Sequence, residues 1–205
     1  MINPKVKLVS ITPDYMDLLK LACSKPYGND VSEKGIQHII KSGHLSVLEH
    51  CYASFDITCS CRVLGQITRH RHLSFTVKSL RGSGAVDITI PESILKLAKN
   101  YNEAEFEKGW NEYIKSIGQA HDEDGLPYED LAYILPQGTM TNMIVTGNFR
   151  AWYEYLPKRL CKRAMPEHRE VAEGIQKELA KAAPEIFDKD LLNCANCSEG
   201  SCSFK

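Results

Sequence analysis

From Lys5 to Thr12 apolar and polar residues alternate, with Val6, Leu8 and Ser10 on one side, the period of a half-buried strand. Thr12-Pro13-Asp14 then reads as an N-cap with proline at the first helical position, opening a helix through about Ser24. A second helix is expected over Ser32–Lys41, where Ile36, Ile39 and Ile40 share a face and Gly43 acts as a stop. His50–Cys61 is rich in β-formers (Tyr52, Phe55, Ile57, Thr58) and predicts a strand. Arg62–His72 has a short helical pattern of Val63, Leu64 and Ile67, followed by an extended segment over Ser74–Arg81. Pro91–Gln119 predicts one or two helices with Ile94, Leu95, Leu97, Phe106, Trp110, Tyr113 and Ile114 facing inward. A short helix over Tyr128–Tyr133 stops before Pro136, and Thr139–Thr146 predicts a strand. Two helices complete the pattern, Asn148 to about Arg163, opened by Gly147-Asn148, and Glu167–Ala183. Mixed elements with no regular βαβ repeat and no internal period give a single α+β domain over 1–190, with 191–205 as a cysteine-containing tail.

Composition narrows the function classes. The chain has 205 residues, 43% hydrophobic, with 25 basic against 26 acidic side chains, so neither sign dominates as it would in a general nucleic-acid or membrane binder. Lys5, Lys7 and Asp14 stand where a secretory leader would be apolar. The longest uncharged stretch, Leu131–Phe149, holds Pro136, Gln137, Gly138, Asn142 and Gly147, which a lipid-exposed helix would not tolerate together. A soluble, cytoplasmic protein is expected. Eight cysteines in such a chain are expected to be reduced and mostly packed as small hydrophobes. Cys194, Cys197 and Cys202 offer three thiols where a structural zinc site takes four ligands, so the tail is expected to be redox-labile and to hold no metal.

One segment breaks the charge balance. Between Asp56 and Asp87 lie thirty residues without an acid, among them Arg62, Arg69, His70, Arg71, His72, Lys78 and Arg81. On a helix Gln66, Arg69 and His70 would share a face, and on an extended strand Ser79 and Arg81 would look the same way. Guanidinium forks suit phosphate oxygens bidentately, so these groups together are suited to grip a phosphate and a base edge. A nucleic-acid-binding module using the Arg62–Arg81 stretch is the alternative, although no aromatic but Phe75 interleaves with the arginines.

Arg69-His70-Arg71, seven residues and then Ser79 match the RHRx7S signature of the flavin-dependent thymidylate synthases, the ThyX family. His44-Leu45-Ser46-Val47-Leu48-Glu49-His50 resembles the family's segment before its strand, and Gln66 stands three residues before the motif. Leu135-Pro136, Asn148-Phe149-Arg150 and Arg159 match a downstream series in order, and Glu167 falls where the family keeps a glutamate, so the resemblance spans about residues 5 to 185. It implies a homotetramer of subunits with a mostly antiparallel sheet flanked by helices, binding FAD in sites built where subunits meet. The implied reaction methylates dUMP at C5, with methylenetetrahydrofolate as carbon donor and NADPH as reductant. By the same resemblance Ser46, Arg69, His70, Arg71, Asn148, Arg150 and Glu154 contact FAD. Gln66, Arg69, Ser79, Leu80, Arg81 and Arg159 hold the nucleotide, and Arg159 is catalytic, activating the pyrimidine without any cysteine nucleophile. Thr76, Val77, Gly82 and Ala132 depart from the family pattern around the nucleotide, which leaves open a relative that methylates or hydroxymethylates another pyrimidine nucleotide.

Overall fold

The structure is a computed structural model that describes residues 3–80, 87–100, 102–192, 194–195 and 197–204. Four strands form one antiparallel sheet in the order β1-β2-β4-β3: β1 (Lys5–Ile11), β2 (Tyr52–Ser60), β3 (Leu73–Val77) and β4 (Met140–Asn148). The helices are α1 (Tyr15–Tyr27), α2 (Glu33–Lys41), α3 (Cys61–Ile67), α4 (Glu92–Lys99), α5 (Glu103–Asp122), α6 (Tyr128–Leu131), α7 (Phe149–Leu160), α8 (Pro166–Ala182) and α9 (Pro184–Phe187), with a 3-10 turn over Leu45–His50. The expected α+β architecture is present. No helix among the described residues is long and apolar enough to cross a membrane.

The sheet has two unlike faces because its central strands alternate. Ala53, Phe55, Ile57 and Cys59 of β2, with Met143 and Val145 of β4, are buried. They pack beneath Trp152, Tyr155 and Leu156 of α7 and Val171, Ile175 and Leu179 of α8, all in one core cluster. Phe55 meets Trp152 edge-on at 5.1 Å, and the indole N–H donates to the Ala53 carbonyl at 3.1 Å, so its one polar group is satisfied inside the core. The opposite face carries polar cross-strand pairs, Ser54–Thr146 at 2.8 Å and Asn142 Nδ2 to Asp56 Oδ1 at 2.5 Å.

Two expectations about local structure fail for tertiary reasons. Thr12 does not cap α1; its hydroxyl accepts from the Tyr52 N–H at 2.7 Å and ties the end of β1 to β2. The helix starts three residues later behind Asp14, at φ 48° in the left-handed region. In α4 and α5, Ile94 is 44% and Leu97 57% exposed, because these helices pack on each other rather than on the sheet. Ile94, Leu95, Phe106 and Trp110 instead line one wall of a cleft of about 1040 Å³, with Pro136 and Met165 also on its lining.

Candidate active site

The basic segment is delivered by α3 and the turn after it. Ser60 caps α3 by accepting from the Val63 N–H at 3.2 Å, and Glu167 of α8 accepts from both the Ser60 N–H (2.8 Å) and its hydroxyl (2.6 Å). That clamp fixes the start of α3 against the start of α8. The helix ends at Ile67, where the Thr68 hydroxyl donates to the Leu64 carbonyl at 2.8 Å. Arg69 and His70 therefore lie beyond the helix, in turns closed by His70 N–H to Ile67 O (3.0 Å) and Leu73 N–H to His70 O (3.1 Å). Arg69 and Arg71 are exposed, and among the described residues neither makes a side-chain ion pair. Leu73 then pairs with Gly147 of β4, one residue before Asn148. A Cβ on Gly147 would lie 2.4 Å from Leu73 Cδ2 and 3.2 Å from Trp152 Nε1, so a larger residue there would displace the Leu73 side chain and crowd Trp152.

His70 points inward and meets Arg159, 89 residues later in the chain: Arg159 Nε donates to His70 Nε2 at 3.0 Å. Burial, aided by the charges of Arg159 and Lys158, pushes His70 down to about 4, so its ring is neutral at working pH and accepts at Nε2. Its ring also lies edge-on to Tyr155 at 4.8 Å. Behind Tyr155 sits His168, fully buried, with Nε2 3.0 Å from the Tyr155 hydroxyl and Nδ1 3.3 Å from Gln66 Oε1. Burial, then Arg159 and His70, push His168 down to about 3. Sequence reading missed His168 and Tyr155. His168 falls on the stripe of Val171, Ala172, Ile175 and Leu179, where a histidine reads as core, and its one signal was a polar residue on an apolar face.

The residues expected at FAD gather around the start of α7. Asn148 caps that helix, its Oδ1 accepting from the Ala151 N–H at 2.8 Å, so the side-chain amide N–H groups remain for a ligand. Ser46 lies exposed on the 3-10 turn that packs on α7. Arg150 is held by two acids, Glu154 at 2.8 Å and Glu49 at 2.6 Å. Glu49, from the segment that also carries Ser46, was not among the expected site residues. It and Glu154 position the Arg150 fork and offset its charge.

Ser79 and Leu80 are not brought to this cluster. β3 runs away from the turn, and Lys78 N–H still bonds Asn142 O at 2.8 Å. The four strand steps from Leu73 to Val77 already cover ~13 Å at 3.3–3.4 Å each, and Ser79 follows two residues beyond the end of β3. Arg81 and Gly82 lie outside the described residues. Thr76 is exposed opposite Ile144, Val77 is half-buried, and Ala132 closes α6 next to the 90% exposed Tyr133.

Residues 7–185 match the family described as thymidylate synthase complementing protein. The chain belongs to the flavin-dependent thymidylate synthase family. It is 35% identical over 207 residues to the flavin-dependent thymidylate synthase of Sulfurisphaera tokodaii, covering 92% of this chain and 78% of that one. With the enzyme of the same name from Pyrococcus furiosus it shares 37% identity over 163 residues, 75% of this chain and 64% of the relative. The fold matches that of thymidylate synthase X from Helicobacter pylori, solved with FAD and dUMP, with a TM-score of 0.74 at 21% identity over 93% of this chain and 99% of that one. Membership replaces the nucleic-acid-binding alternative with an enzyme.

The cysteines fit that change. Burial raises the Cys51 thiol to about 11 and Cys59 to about 12, so both stay protonated and unreactive. Cys194 and Cys197 are exposed, and the tail is held at Arg163, which reaches Glu199 at 3.1 Å and Ser201 at 3.3 Å.

Proposed function

We propose that this chain is a flavin-dependent thymidylate synthase that methylates dUMP at C5, using methylenetetrahydrofolate and NADPH through FAD. The observation that carries the reading is the 3.0 Å contact between Arg159 and His70, which joins the residue expected to activate the pyrimidine to the middle of the RHR signature. The donor set fits FAD: Arg69 and Arg71 suit a diphosphate, and Asn148 supplies amide N–H groups beside them. Bound there, FAD supplies the hydride transfer, and folate the carbon. The protein's own task is electrostatic. Uracil C5 becomes nucleophilic as the ring takes on enolate character, and a fixed cation near the ring stabilises that charge. His70 takes the Arg159 Nε, and among the described residues both Nη groups make no hydrogen bond, which leaves them available to a ligand.

The reading extends to a homotetramer with shared sites. Its support is the strand that separates the two halves of the nucleotide-binding set: β3 leads from the turn that holds Arg69 toward Ser79, so on this reading one chain presents Gln66, Arg69 and Arg159 while another presents Ser79, with Arg81 expected beside it. Apolar side chains left outside the core, Tyr52 at 52%, Val9 at 55% and Leu97 at 57% exposure, are consistent with burial against further subunits. A cytoplasmic location follows from the same reading, since its co-substrates are cytosolic metabolites. The test is turnover: FAD-loaded protein with dUMP, methylenetetrahydrofolate and NADPH is expected to yield dTMP, identified by mass. Tight FAD and dUMP binding with no dTMP, but methylation or hydroxymethylation of another pyrimidine nucleotide, would assign the alternative opened by Thr76, Val77, Gly82 and Ala132. Protein that binds neither FAD nor any nucleotide would refute both.

A further inference from the structure

Gln66 has an amide that can face a ligand in two ways, presenting either a carbonyl acceptor or an N–H donor. Its surroundings decide which. On one side lies His168, on the other Met165, whose Sδ is 3.6 Å from Gln66 Nε2. A thioether is only a weak acceptor, and turning a carbonyl oxygen toward it would oppose two lone-pair groups. The amide N–H2 therefore belongs on the Met165 side and the Oε1 on the His168 side. A carbonyl can only accept, so His168 Nδ1 must carry the ring proton, and Nε2 must accept from the Tyr155 hydroxyl. The direction of every bond is then fixed: Tyr155 O–H to His168 Nε2, His168 Nδ1–H to Gln66 Oε1. The ring that anchors the relay is the same Tyr155 that packs edge-on against His70.

We propose that His168 is a positioning residue for the nucleotide site: by holding Gln66 Oε1 it keeps the carbonyl turned away from the ligand, and the N–H2 group, which has a second hydrogen besides the one facing Met165, reads the nucleotide as a hydrogen-bond donor. The ligand groups it suits are a phosphate oxygen or a pyrimidine carbonyl, and not a ring N–H. The position behind the site, with no exposed surface, separates this role from substrate contact; His168 acts only through Gln66 and Tyr155. The proposal rests on the nucleotide-binding role given to Gln66 above.

The test is a double-mutant cycle on FAD-loaded protein, with dUMP binding read by calorimetry and folding by thermal melting. His168→Phe keeps a planar ring of similar size but removes both ring nitrogens, and dUMP affinity is expected to fall about 10-fold, the scale of one hydrogen bond that is lost or misdirected. In the Gln66→Ala background the same change is expected to alter affinity less than ~2-fold, because the intermediary is gone. His168→Asn, whose side-chain amide N stands near the Nδ1 position, is expected to restore most of the affinity and covers the case in which the phenylalanine variant does not fold. A His168→Phe effect equal in both backgrounds, an asparagine variant as weak as phenylalanine, or unchanged affinity in His168→Phe overturns the proposal. Wild-type protein that holds FAD but shows no dUMP binding refutes the functional reading itself, a separate outcome seen before any variant is made.

Discussion

Replacing Arg159 by alanine removes a cation, a hydrogen bond and a stretch of packed stem at once, and the three losses read out differently. Arg159 lies eleven residues after Asn148, ~three turns along α7, and is half-buried with its Nε spent on His70. Loss of that charged hydrogen bond would cost about 1.5–3 kcal/mol if fully buried; partial solvent access brings the cost to folding nearer ~1 kcal/mol. The catalytic loss is larger. If the guanidinium stabilises the enolate-like ring, turnover falls by about 10²–10³-fold, or ~2.7–4 kcal/mol, as for removal of one preorganised donor. Arg159→Lys keeps the charge without the planar fork and is expected to fall between. The structure also supplies an internal control. Burial is the first cause of His70's low pKa and Arg159 the second, so in the alanine variant His70 is expected to rise from about 4 toward, but not reach, its usual 6.5. The assay is dTMP formation under saturating folate and NADPH, alongside flavin absorbance per chain and NMR titration of His70. An alanine variant with the expected His70 shift but unchanged turnover would refute the electrostatic role, and so would a turnover loss no larger than the loss of FAD.

Three further outcomes follow from the same geometry. Glu167→Ala leaves the buried Ser60 N–H and hydroxyl without their partner and is expected to lower unfolding stability by about 1–3 kcal/mol, read by urea titration; a neutral result would mean that the α3–α8 clamp does not bear on stability. Ser79→Ala is expected to weaken dUMP binding while FAD content is unchanged, and a covalent adduct trapped on Ser79 would contradict its assignment as a binding residue. His168, held at about 3 by burial and by the Arg159 and His70 that face it, stays neutral while the unfolded chain protonates near 6.5. The unfolded state thus binds the extra proton, so stability is full above pH 6.5 and falls as pH drops toward 3. His168→Asn is expected to flatten that fall by about 2–4 kcal/mol, and an equal loss of unfolding free energy from pH 6 to pH 4 in the wild type and the variant, read by urea titration, would show that His168 ionises freely.

The sequence made visible whatever depends on period and local chemistry. β2 is legible from its run of β-formers (Tyr52, Phe55, Ile57, Thr58), and α2 because Ile36, Ile39 and Ile40 share a face behind Ser32, which caps the helix. The RHR segment and Arg159 are legible as types in order. What stayed hidden depends on partners remote in the chain. Thr12 is a good cap by itself, and only the Tyr52 N–H, forty residues away, draws it off. The amphipathic pattern of α4 and α5 says that a face is covered, but not that the two helices cover each other. His168 resembles core because its donors and acceptors are satisfied inside. Helix α3 also stops earlier than its pattern suggests, at Ile67, so Arg69 and His70 lie in turns, and β3 leads from there toward Ser79.

The course of β3 has a genetic corollary. On the proposed shared-site tetramer, the short strand β3 holds two portions of one nucleotide-binding set apart at its two ends, so each pocket would be a joint possession of neighbouring chains. Two defective alleles, one lacking Ser79 and the other Arg159, are then expected to rescue each other when expressed together, because some pockets in the proposed mixed oligomer would receive the intact half of each. Neither allele could do so alone, and a dominant loss from one bad copy would be only partial. Inheritance of the trait thus follows the pockets rather than the chains.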